Sequence, residues 1–100
     1  MSELDQERQY IDEVDRASEA KRIMEHPLMV AAFEDEEAEL LKLFREGVTE
    51  PDALMNASIA IKLLVKIRTR LLHHIETGKM AQRSLWDLDQ KRSRQERRHV

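Results

Sequence analysis

The sequence predicts an all-α fold: an antiparallel helical hairpin that assembles into a helical bundle as a homo-oligomer. Three observations predict it. The stretch Asp52 to Thr77 has no Gly and no Pro. It places Leu54, Ala57, Ile61, Leu64, Ile67, Leu71 and Ile75 at steps of three and four, which keeps one stripe on one side of a helix. Two Gly and two Pro in 100 residues are too few for a β-rich fold, which needs turn residues roughly every 8–12 positions. A composition 41% apolar and 37% charged suits a solvated helical chain with a narrow core and disfavours disorder.

Residues 1–25 read as a first helix, with Tyr10, Val14, Ala17, Lys21 and Met24 at helical spacing and Ser2 placed to cap it. His26-Pro27 is the first punctuation. Proline fits the first turn of a helix and pushes the residue before it out of helical angles, so a kink or a very short break is expected there. Residues 28–46 form the next helical segment, with Met29, Ala32, Phe33, Leu40, Leu41 and Phe44 as its apolar face. Gly47 supplies a C-terminal stop. Thr49 is placed to cap the Asp52–Thr77 helix, with Pro51 in its first turn. A loop this short makes its flanking helices antiparallel neighbours. Gly78 is expected to end or kink the organising helix. Beyond it Met80, Ala81, Leu85 and Leu88 return to helical steps, and the basic end, Lys91 to Arg98, has no apolar stripe. Residues 1–90 thus read as a single hairpin domain, and 91–100 as a basic C-terminal tail expected to fray.

Folding the chain at Thr49 pairs residues whose numbers sum to about 98, the register set by that turn. Phe33 then faces Leu64 and Val65, Glu36 faces Lys62, Ala81 faces Ala17, and the basic end lies beside Glu3 to Glu7. Unbroken arms would reach about 65 Å at ~1.5 Å per residue. Arms folding back at Pro27 and Gly78 into a bundle of three or four helices remain the alternative. In a lone hairpin each helix buries one side only. The broad apolar sector of the organising helix, extended by Ala60, Leu63, Val65 and Leu72, would stay open to a second copy. Leu63, Val65, Leu72 and Trp86 are therefore the candidate interface residues, Trp86 as a hot spot or as simple packing.

Net charge is −3, with fifteen acids and six bases before Pro51 and seven bases against three acids after Gly78. Lys91, Arg92, Arg94, Arg97 and Arg98 are candidate nucleic-acid contacts of an unspecific electrostatic kind, since no helix-turn-helix or aromatic interleaving accompanies them. Pairing with the acidic first helix competes for them. Lys66, Arg68 and Arg70 could frame a groove for an anionic ligand between subunits. The acidic run Glu34 to Glu39 could bind cations or mimic a nucleic-acid backbone, but a solvated face with Glu36 or Glu37 pairing to Lys62 or Lys66 is the simpler reading. His73-His74 with Glu76 matches neither the bundle di-metal pattern nor the zinc-protease pattern. There is no Cys, no phosphate loop and no nucleophile–base pairing, so no enzyme, cofactor or metal is expected. The polar, acidic start is unlike a signal peptide, and no apolar run approaches the roughly 18 residues of a membrane span.

The string AKRIMEHPLMVAAFEDEEAELLKL followed by IKLLVKIRTRLLHHIETGKMAQ resembles a loosely defined group of short bacteriophage and prophage proteins. Lys62, Leu63 and Leu64, then Glu76, Thr77, Gly78 and Lys79, carry the likeness over roughly residues 19–82; the turn GVTEPD departs from it. The resemblance implies a phage-encoded protein from in or near the virion genes, found in host cytoplasm or virion, and assigns no activity. The function expected is a non-enzymatic virion-associated or assembly accessory that contacts itself and a phage or host protein. A nucleic-acid packaging or regulatory factor, and an inhibitor of a host protein, are the alternatives.

Overall fold

The computed structural model describes residues 2–98, which form three α-helices and no strand: α1 (Glu3–Glu25), α2 (Pro27–Arg45) and α3 (Pro51–Arg98). Ser2 caps α1 as its position suggests: its Oγ accepts from the Asp5 amide at 3.2 Å. At the first punctuation the chain breaks for one residue. His26 is extended (φ −65, ψ 125), as a residue before proline prefers. Its Nδ1 accepts the Leu28 amide at 3.2 Å, and Pro27, which has no amide hydrogen to satisfy, opens α2.

Gly47 ends α2 with φ +70. Its amide donates to the Phe44 carbonyl, and the Val48 amide donates to the Leu43 carbonyl. That pair of bonds closes the helix end in a Schellman turn, which glycine enters without steric cost. α3 then starts at Pro51, and the Leu54 amide donates to the Glu50 carbonyl at 3.1 Å. Glu50, not Thr49, therefore holds the cap position.

Gly78 does not end the organising helix, and α3 runs through it to Arg98. The described part of the basic end is likewise helix and not a frayed tail. Gly78 is buried, and a Cβ built on it would collide with the Ala17 Cβ and lie 3.2 Å from the Glu13 carbonyl oxygen. The missing side chain lets two backbones approach; it is not a stop signal here.

The chain forms two compact units. In the unit Arg22–Leu71, Ala57 is buried, and Arg68 reaches α2. Its guanidinium sits 4.9 Å from the Phe33 ring centroid and 3.3 Å from a Glu37 carboxylate oxygen. Two expectations change here. Ile67, assigned to the inward stripe, is exposed, and Arg68 takes that place. The ion pair to α2 is Glu37–Arg68, not Glu36–Lys62. The covered positions Ala57, Leu64, Leu71, Gly78, Leu85 and Arg92 recur every seven residues, and a seven-residue repeat drifts about 20° per heptad from a straight 3.6-residue stripe.

The other unit joins the chain before Arg22 to the chain after Leu71. Ala20 and Ala81 are its buried apolar residues. Gly78, rather than Ala81, is the residue set against Ala17. Where the acidic start meets the basic end, Arg92 forks onto Glu7 with bonds of 3.0 and 2.8 Å and reaches Glu3 at 3.4 Å. Opposite charge does face opposite charge at these ends.

Candidate functional site

What the packing leaves uncovered is the main feature of this surface. The fully buried apolar residues are three alanines, whereas fifteen large apolar side chains are exposed among the described residues. The chain presents 8339 Å² to solvent. A compact monomer of 11.8 kDa would present about 5,900 Å².

The candidate interface residues are all part of this uncovered set: Leu63 is 53% exposed, Val65 56%, Leu72 48% and Trp86 63%. They do not form one patch. Leu63 and Val65 are two residues apart on α3, so their side chains point about 160° away from each other. Leu63 instead shares a row with Ile59 and Ile67, four residues before and after it, and both are exposed. Lys62, Lys66 and Arg70 each follow a member of that row by three positions and are exposed. In the other unit Leu72 and Trp86, two heptads apart, fall within about 40° of each other on α3. Sequence reasoning found Leu63 but passed over Ile59 as a surface residue and placed Ile67 inside. The signal it needed was the repeated apolar-x-x-cation spacing.

The basic candidates divide. Arg92 is held by Glu7 and Glu3. Lys91, Arg94 and Arg97 are exposed, and the Arg98 side chain lies outside the described residues. Within the chain Arg68 turns to α2 while Lys66 and Arg70 stay in solvent. The bidentate contact from Arg92 holds the Glu7 carboxyl below its ordinary 4.5, and the same bond keeps Arg92 protonated more firmly. Because the folded value of Glu7 is the lower one, its contribution to stability is present above pH 4.5 and is lost as pH falls from 4.5 through that lowered value. Comparing wild type with Arg92→Gln in acid denaturation should show a stability difference that is constant near neutrality and shrinks below pH 4.5. A difference unchanged down to pH 3 would refute the pairing.

The His73 and His74 rings are 6.3 Å apart and tilted by 57°. Among the described residues no group of three or more His, Cys, Asp or Glu side chains could hold a metal ion. A concavity of about 210 Å³ in the unit Arg22–Leu71 is lined mainly by Met24, Met29, Val30, Phe33 and Leu71, and brings together no nucleophile and base. No helix among the described residues is long and apolar enough to cross a membrane. The arrangement offers exposed apolar rows edged by charge. In comparisons with known protein families, curated proteins and solved structures, the chain matches none.

Proposed function

We propose that this chain is a non-enzymatic helical hairpin that associates with itself and works through protein contacts, as a virion-associated or assembly accessory of a bacteriophage. The exposed apolar surface carries this reading. Fifteen large apolar side chains are left in solvent among the described residues, and those at helical spacing, such as Ile59, Leu63 and Ile67, form rows that another copy would cover. The phage assignment is supported by the likeness of residues 19–82 to short phage and prophage proteins. The short Gly47 turn, and ion pairs whose partners are separated by 31 and 85 residues, support antiparallel pairing in each unit. The nucleic-acid reading is weaker, because Arg92 is engaged by two carboxylates.

Light scattering on the eluting protein tests self-association. At micromolar concentration the mass should be at least twice 11.8 kDa and should fall on dilution. A mass of one chain throughout would refute self-association.

A further inference from the structure

The row Ile59, Leu63 and Ile67 is the most orderly uncovered feature of the unit Arg22–Leu71, and its charges point to what covers it. The cations beside it, Lys62, Lys66 and Arg70, have no ion-pair partner among the described residues. The same unit carries acids in the same condition on α2: Asp35, Glu36 and Glu39 are exposed and unpaired there. They surround Ala32, which is also exposed and lies within about 60° of each on the helix. One helix therefore offers bulky apolar residues edged by cations. The other offers one small residue, Ala32, among acids. The two surfaces complement each other in charge.

We infer that the α3 row is covered by α2 of a second copy, whose Asp35, Glu36 and Glu39 meet Lys62, Lys66 and Arg70. This rests on the self-association proposed above and adds the face, the partner element and the register chemistry. A two-fold axis makes the contact twice, since each copy supplies one α2 and one α3. A stable dimer buries about 600–1,000 Å² per partner, and the surface in excess of a compact monomer is about 2,400 Å². Apolar burial supplies the affinity, and the charges select the partner helix and its direction.

Paired charge reversal tests it. Glu36→Lys/Glu39→Lys places like charges on both helices of one variant, and Lys62→Glu/Lys66→Glu does so with the opposite sign in another. Each variant alone should associate on the order of tenfold or more weakly than wild type. An equimolar mixture should recover wild-type association as a one-to-one heterodimer, read by sedimentation at low and moderate salt. Circular dichroism checks that each variant remains helical. Because the chain has no Cys, a second measurement is clean: mixing Glu36→Cys with Lys62→Cys proteins should give a hetero-crosslink with a short bismaleimide. Wild-type association without recovery in the mixture, or without the crosslink, overturns this arrangement and leaves self-association standing. A monomeric wild type overturns both.

Discussion

Replacing Gly78 with leucine is expected to give the largest loss of stability of any single change in α3. Gly78 sits where a Cβ would already meet the Ala17 Cβ and crowd the Glu13 carbonyl oxygen. A leucine there must push α1 and α3 apart, and overpacking of this kind costs about 1–3 kcal/mol, occasionally more. At about 4–8 °C per kcal/mol for a chain of this size, the melting midpoint should fall by roughly 5–20 °C. Alanine separates the two opposing effects. It gains about 1 kcal/mol of helix propensity over glycine and meets the same methyl group. Gly78→Ala should therefore be near neutral or mildly destabilised, and adding Ala17→Gly should relieve it. Midpoints must be compared at one protein concentration, because association shifts them. Gly78→Leu melting with the wild type would show that the close approach at Ala17 does not exist.

The second large effect is on association. Leu63→Lys places a charge in the centre of the exposed α3 row. Burying a leucine is worth about 1.5–3 kcal/mol, and a two-fold interface loses it twice. The dimer should weaken by roughly 3–6 kcal/mol, or about a hundredfold to ten-thousandfold. Leu4→Lys is the control: Leu4 is also exposed but lies on α1, in the other unit. Sedimentation equilibrium over a dilution series reads both. Equal weakening by both variants would mean that the row has no privileged role.

Local signals were legible in the sequence wherever the chemistry was complete within a few residues. The Ser2 cap, the break at His26-Pro27 and the turn at Gly47 each depend on backbone groups next to the residue that sets them. Gly78 was misread because glycine is ambiguous by itself. Whether it stops a helix or admits a neighbour depends on what stands opposite, here Ala17, sixty-one positions away. The exchange of Ile67 for Arg68 has another origin. Leu64 can be followed in a stripe by the residue three or four on; Ile67 was taken for its apolarity, whereas Arg68 lies nearer the centre of the covered face. Arg68, read only as framing an anion groove, faces inward because its guanidinium has both the Phe33 ring and Glu37 to meet there. Leu63 and Val65 were grouped by hydrophobicity when their spacing sets them on opposite sides.

The seven-residue recurrence from Ala57 to Arg92 also constrains how such a chain can change over evolutionary time. One residue inserted in α3 would turn everything after it by about 100° and bring a solvent-facing side chain into each place that Leu71, Gly78 or Leu85 now fills. Seven residues inserted would restore the phase. Growth or shrinkage of this architecture is therefore quantised, with whole heptads as the unit of permitted length.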